Sequence, residues 1–246
     1  MDGSILALFL LATFIGGVVS GLAGFAFGLV VSGIWLHILT PLQVATLIVF
    51  YGIFVQAYSI FALRLSLVGR HVIPLIVGSV VGAPLGVWLL HFINPGYLRL
   101  AVGVMMIGYS LNGLLRPTLK AVPANVPVEL GVGFLNGVLG GMTGLAGVFV
   151  TVWCNLRGWS KDTQRSVYQP VILASFAVSA ISLAAGGALT APTLKLYLYG
   201  VVPLLAGMFI GLKLYGHLND ATFRKVVLVL LLLSGLVLIV PELLWR

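Results

Sequence analysis

The sequence predicts an all-α membrane protein with two inverted repeats, each a broken or re-entrant helical hairpin followed by three transmembrane helices. Three observations lead to this fold class. The 246-residue chain is 61% hydrophobic and 7% charged, whereas a soluble domain is roughly 45–50% apolar and 25% charged. Two glycine-rich segments interrupt long apolar stretches, and motifs of the first half recur in the same order in the second.

The apolar stretches indicate the environment in which the chain folds. Uncharged runs cover residues 72–90, 130–156, 166–194 and 226–240, and at about 20 residues per crossing they leave little chain for an aqueous domain. The lipid bilayer is therefore the expected environment. The net charge of +8 is spread over short loops, so nucleic acid is not an expected partner. The single Cys154 and the lack of zinc-ligand spacing suggest neither a disulfide nor a metal, and we expect no cofactor.

An internal duplication is visible in three pairs of motifs. The pairs are "GVVSGLAG" (17–24) with "GVLGGMTG" (137–144), "PLIVGSVVG" (74–82) with "PLLAGMFIG" (203–211), and "NPGYLRL" (94–100) with "NDATFRK" (219–225). Three pairs in one order indicate a repeat. We predict a first repeat over residues 1–115, a cytoplasmic linker over the proline-containing residues 116–127, and a second repeat over 128–246.

The distribution of basic residues predicts the orientation of the two halves. If each glycine-rich segment enters and returns on its own side, one face receives ten of the 13 Lys and Arg residues: Arg64, Arg70, Arg116, Lys120, Arg157, Lys161, Arg165, Lys213, Arg224 and Lys225. The opposite face then receives Arg99, Lys195 and Arg246. If each segment crosses once, the split is six to seven. The positive-inside rule favours the hairpin, with the basic face cytoplasmic and both termini outside.

Three full crossings follow each hairpin. They are predicted at residues 44–63, 72–90 and 98–115, and at 166–187, 196–212 and 222–240. Because three is an odd number, the two halves must have opposite orientations.

The glycine-rich segments "GLAGFAFG" (21–28) and "GMTGLAG" (141–147) are the candidate functional sites. A helix break at membrane depth leaves backbone N–H groups unpaired, which is tolerated only beside protein or a cavity. The helices predicted to start after Gly24 and Gly144 present free N–H groups and a positive dipole end, a combination that suits an oxyanion. Asp and Glu are missing from the interior of every apolar segment, which disfavours cation transport.

The interior of the predicted segments also contains no Lys or Arg, so backbone amides and neutral side chains are expected to bind the anion. The predicted substrate-binding residues are Ser20, Gly21, Gly24, Phe25, Gln56, Asn136, Gly141, Thr143, Gly144, Leu145 and Gln169. We expect no catalytic residue, because a nucleophile, a metal cluster or an acid–base pair inside the bilayer is missing from the pattern.

The complete pattern resembles the TauE/SafE sulfite exporter family. Each half opens with a glycine-rich break and continues with a "PLxxGxxxG" helix and an Asn-started helix that carries Arg. The resemblance covers essentially the whole chain. It implies transport of sulfite, sulfonates, thiosulfate or related sulfur or organic anions.

These observations together predict a secondary carrier for a small oxyanion that exposes a midplane site alternately to the two sides. The bacterial inner membrane is the expected location. Two alternatives stay open: a passive anion channel, and a membrane subunit of a larger complex. A homo-oligomer is also compatible with the sequence. The chain lacks a "GxxxxGK[ST]" phosphate-binding loop, so it does not itself hydrolyse ATP through such a loop.

The charge distribution generates a topology prediction. Single cysteines at the positions of Arg70 and Lys213 should react with a membrane-impermeant thiol reagent only from the cytoplasm, and single cysteines near Asn94 and Pro192 only from outside. Opposite accessibility of the Arg70 and Lys213 positions would contradict the inverted arrangement.

Overall fold

A computed structural model describes residues 3–65, 69–89, 95–115, 123, 125–143 and 146–244. These residues form ten α-helices and contain no β-strand. The helices are α1 (Gly3–Ala23), α2 (Phe27–Trp35), α3 (Pro41–Ala62), α4 (Gly69–Leu89), α5 (Pro95–Leu115), α6 (Val126–Thr143), α7 (Val148–Leu156), α8 (Lys161–Ala185), α9 (Ala191–His217) and α10 (Asp220–Leu244).

Five helices in the described part of the chain are long and apolar enough to cross a membrane, namely α1, α3, α4, α8 and α9. Large apolar side chains such as Phe61, Ile181 and Val202 are exposed on their outer surfaces, where lipid would cover them. The first arm of the predicted hairpin is a long helix. The 21 residues of α1 give it a length of about 31 Å, comparable with the thickness of the hydrocarbon core of a membrane.

The chain reverses direction at both glycine-rich segments. The short helix α2 runs back along α1, because the Trp35 ring stacks on Phe9 with centroids 4.9 Å apart and Gly16 faces Phe27 and Val31. In the second half, the amide of Gly147 donates a 2.9 Å hydrogen bond back to Asn136 Oδ1 on α6. Each glycine-rich segment is therefore a hairpin with one long arm and one short arm.

Small residues bring the two halves into close contact. In α1, Gly17 and Gly21 pack against the backbone of α9, and Gly207 and Gly211 of α9 pack back against α1. The helices α4 and α6 make the same kind of contact, because Gly78, Gly82 and Gly86 of α4 pack against α6. Backbones that approach this closely gain extensive van der Waals contact, the main source of helix association in lipid. Each long hairpin arm thus packs on the "PLxxGxxxG" helix of the other half.

Further contacts between the halves join α3 to α8 and α5 to α10. The 25-residue α8 also contacts α4, α6 and α7, which places it at the centre of the bundle. Pro170 lies inside this helix. Because proline has no N–H group, α8 lacks one main-chain hydrogen bond at this point.

The close contacts generate a prediction about packing. A Cβ atom on Gly82 would collide with the carbonyl oxygen of Phe134, so Gly82→Val should destabilise the protein by about 1–3 kcal/mol or more and reduce the yield of folded protein. Gly131→Val is the control, since nothing lies within 4 Å of a Cβ at that position. Equal melting temperatures of the two purified variants in detergent would contradict this account.

Candidate functional site

The two hairpin breaks meet beside α8. Gly24 has φ +84° and Gly147 has φ +111°, a left-handed backbone that glycine adopts at little cost. A Cβ on Gly147 would lie 3.8 Å from the Cβ of Phe25 and 2.6 Å from Ile172. Gly24 lies against Tyr168 and Gln169. These contacts fall about 11–17 Å along a helix of about 37 Å, so both breaks lie well inside the bundle.

Side chains from other helices satisfy the backbone of the first break. Gln56 Nε2 donates to the Gly24 carbonyl at 2.9 Å, and the Tyr168 hydroxyl donates to the Ala23 carbonyl at 2.5 Å. The amide of Gly24 donates to the Ser20 carbonyl at 2.6 Å. The break is thus held by α3 and α8, as an interruption at membrane depth requires.

Asn136 has the corresponding role at the second break. Its Oδ1 accepts from the Gly147 amide, and its Nδ2 lies 3.4 Å from Ser79 Oγ. The Ser79 hydroxyl in turn donates to the Gly133 carbonyl at 2.9 Å. One polar chain therefore connects the second break to the interface between α6 and α4.

A small void separates the two short helices at their N-terminal ends. Its volume is about 10 Å³, which is room for one water molecule. The lining residues are Phe25, Gly28, Leu29, Ile48, Ala146, Val148 and Phe176. Neither α2 nor α7 has a side-chain cap at its start, so the first-turn amides of both helices are available to a ligand.

Arg165 is the principal site residue that sequence analysis missed. It is the fifth residue of α8 and is completely buried. Its Nη2 donates to the Gly21 carbonyl at 3.0 Å and lies 3.4 Å from the Ser20 carbonyl. The amide of Gln169 is assigned with Oε1 toward the guanidinium, where it accepts from Nε at 3.1 Å and from Nη2 at 3.2 Å. The expectation of an interior without arginine is therefore wrong.

Three buried polar atoms at the first break have no hydrogen-bond partner, namely Ser20 Oγ, Gln56 Oε1 and Arg165 Nη1. The residues that carry them are at most 2% exposed. Other described side chains, such as Asn155, also have unpaired buried atoms. Because unpaired buried polar groups are costly, the three that lie at the helix break make it a candidate binding site.

The structure brings part of the predicted site together. Ser20, Gly21, Gly24, Gln56 and Gln169 surround the first break, Phe25 lines the void, and Asn136 holds the second break. Gly21 also packs on the backbone of α9, since its Cβ would lie 2.7 Å from the Met208 carbonyl. Gly141 lies in α6. Gly144, Leu145 and the side chain of Thr143 lie outside the described residues.

The predicted helix starts are displaced. The short helices begin at Phe27 and Val148, three and four residues later than the glycines Gly24 and Gly144 after which they were expected. The glycine directly before α7 is Gly147. The sequence does not show which glycine of this segment has the left-handed backbone, because several neighbouring glycines could form the turn.

The fold and the site define a polytopic helical membrane protein whose two broken hairpins enclose a polar interior. The chain matches the sulfite exporter TauE/SafE family over residues 8–238, nearly its whole length, and it belongs to that family. It is thus a membrane protein of a transporter family, as the sequence resemblance predicted. Comparison with curated proteins and with solved structures gives no significant match.

The two left-handed glycines generate a prediction. Gly24→Ala should reduce both stability and anion flux, because it adds backbone strain of about 1–2 kcal/mol and places a methyl group 2.8 Å from the Tyr168 hydroxyl. Gly147→Ala should behave in the same way, since its Cβ would meet Ile172. Melting temperature and flux into proteoliposomes measure the two effects.

The matched control for both variants is Gly187→Ala. Gly187 also has a positive φ, +73°, but nothing lies within 4 Å of its Cβ position. This variant should therefore show the strain alone and retain flux. Normal flux in Gly24→Ala and Gly147→Ala would contradict a functional role of the breaks.

Proposed function

We propose that this chain is a secondary carrier for a small oxyanion, most simply sulfite, thiosulfate or a sulfonate, bound between the two hairpin breaks. The observation that carries the proposal is the meeting of two uncapped helix starts at one void, lined by Gly28, Leu29 and Val148 among others. Each helix start presents about half a positive charge and free amides. Membership of the sulfite exporter family agrees with this chemistry.

The halves, residues 1–115 and 128–246, are proposed to be inverted repeats joined by a cytoplasmic linker. Support comes from the reciprocal packing of α1 on α9 and of α6 on α4. The His71 side chain near the start of α4 contacts Glu129 near the start of α6 and Trp159 just before α8. The last turn of α1 contacts Arg165 near that same end. The last turn of α1 and the first turn of α6 therefore lie at the same end of the bundle. The two helices run in opposite directions, as two inverted repeats require.

This arrangement suits a substrate that must bind and then leave. The amides of α2 and α7 would hold the oxyanion from opposite sides, with Ser20, Gln56, Asn136 and Gln169 as further neutral groups near the breaks. Hydrogen bonds to neutral groups are individually worth about 0.5–1.5 kcal/mol, which keeps the affinity moderate. The apolar walls formed by Phe25, Ile48 and Phe176 would exclude water from the bound anion.

The conformation fits a closed step of alternating access. A void of about 10 Å³ is too small for an oxyanion of four heavy atoms, so the breaks must separate to admit it. Aromatic rings of Phe27, Trp35, Tyr51 and Tyr197 pack together with centroids 4.7–6.0 Å apart. The Tyr51 hydroxyl donates to the Leu196 carbonyl at 3.0 Å, and Leu196 lines an open cavity of about 400 Å³ together with Lys195 and others. In the proposed orientation, with both termini outside the bacterial inner membrane, this cavity faces outward.

Binding and flux measurements test the proposal. Sulfite, thiosulfate or methanesulfonate at a hundredfold over its dissociation constant should stabilise the purified protein by about 2.7 kcal/mol. Proteoliposomes should take up the same anion with saturation and exchange it against internal anion. Flux without saturation or exchange would indicate a channel, and binding without flux would indicate a subunit that needs a partner. Neither binding nor flux for any of these anions would contradict the proposed function.

A further inference from the structure

We infer that Arg165 binds the charge of the transported oxyanion, and that in the closed state the carbonyl groups of α1 hold its guanidinium in the anion's place. This inference rests on the proposed function and assigns the main binding residue of that site. It follows from the burial of Arg165, from the groups that it contacts and from the donor atoms that it leaves unused.

The guanidinium is a buried charge without an acidic partner. Arg165 is 0% exposed, and no carboxylate oxygen among the described residues lies within 4.0 Å of it. Its contacts include two main-chain carbonyls, the amide of Gln169, the Tyr168 side chain and the ring of Tyr215, whose centroid lies 4.2 Å from Cζ. A buried cation that is not neutralised by an anion is costly, and inside membranes such residues mark functional sites.

The donors of the guanidinium are only partly used. The Nε and Nη2 atoms bind Gln169, Gly21 and Ser20, whereas Nη1 has no partner. Nη1 carries two N–H donors that can bind oxyanion oxygens, and one of them becomes half of a bidentate pair when Nη2 releases the α1 carbonyls. The Ser20 hydroxyl has no partner either. It lies in the same turn of α1 as the Gly21 carbonyl and can donate to another oxygen of the oxyanion.

Other charges near Arg165 do not neutralise it. The Lys161 ammonium lies 4.5 Å from the Tyr215 ring centroid and increases the positive potential. Asp162 accepts a hydrogen bond from the Tyr215 hydroxyl, but its side chain is exposed at the end of α8. Asp220 accepts from the Lys161 amide and is exposed as well. The carboxylates therefore lie at the exposed end of α8, and Arg165 remains the buried charge at the first break, which an anion would balance.

The contact with α1 explains how the buried guanidinium is stabilised. Ser20 and Gly21 belong to the last turn of α1, where carbonyl groups and the negative end of the helix dipole attract a cation. Bonds between the guanidinium and an oxyanion are charge-assisted on both sides and stronger than bonds to neutral carbonyls. A bound oxyanion would thus draw Arg165 from α1 and loosen the hairpin beside the flexible Gly24.

The decisive variant is Gln169→Glu, because Arg165→Gln removes contacts between α8 and α1 and could fail to fold. Glutamate at residue 169 keeps the size of the side chain and places a carboxylate about 3 Å from the guanidinium, as in a buried ion pair. The carboxylate should replace the substrate anion. We expect at least a tenfold loss of sulfite affinity and flux, in line with hydrogen bonds to charged groups, with an unchanged or higher melting temperature without sulfite.

The matched control is Asn125→Asp. Asn125 is exposed just before α6, where its Oδ1 accepts from the Val128 amide at 3.0 Å, and aspartate can replace it there. This variant adds the same charge and should bind and transport sulfite as the wild type does. Arg165→Lys, which keeps the charge and loses the fork, should retain transport with weaker binding if it folds.

Two results separate the possible failures. Normal sulfite binding and flux in a folded Gln169→Glu protein would overturn the assignment and make Arg165 a structural link between α8 and α1. A wild-type protein that neither binds nor transports sulfite, thiosulfate or methanesulfonate would instead contradict the proposed function. Loss in Gln169→Glu with retention in Asn125→Asp would support the role of Arg165.

Discussion

The unpaired backbone of two interrupted helices is the constraint on which the rest of this structure depends. Carbonyl and amide groups at Ala23, Gly24 and Gly147 lie where water does not reach them, and lipid offers no substitute. Tyr168, Gln56 and Asn136 bind these groups from α8, α3 and α6. The three side chains can reach the breaks only if those helices converge on them, so the backbone requirement determines the arrangement at the centre of the bundle.

Close helix contacts supply the rigidity around these breaks. The long arm of each hairpin packs through glycines on a helix of the other half, and such backbone contacts do not deform gradually. The short arms α2 and α7 have only nine residues each and are attached through the left-handed Gly24 and Gly147. The protein thus combines two stiff pairs of helices with two short segments that can move relative to them.

The sequence predicted the membrane class, the family and the reversal of direction at the glycine-rich segments, because composition and motif order report on these features directly. It did not predict the length of α1, since an uncharged stretch has no internal mark of where its helix ends. Arg165 was assigned to a cytoplasmic face, because it closely follows the polar residues Ser160–Gln164 at the start of α8. Its burial depends on long-range contacts of its side chain with Ser20 and Gly21 of α1 and with Tyr215 of α9. The four-residue spacing of Arg165 and Gln169, which places both side chains on one face of a helix, was the one available signal.

Pro170 adds a mechanical consequence to this arrangement. It follows Gln169 directly and leaves the Ser166 carbonyl without its usual helical partner, so α8 resists bending least at the depth where the two hairpins turn. Gly24, Gly147 and Pro170 consequently lie in one thin layer across the bundle. Flexibility concentrated in a single layer lets the segments on either side of it tilt as rigid bodies, so a small change of angle in that layer produces its largest movement at the membrane surfaces.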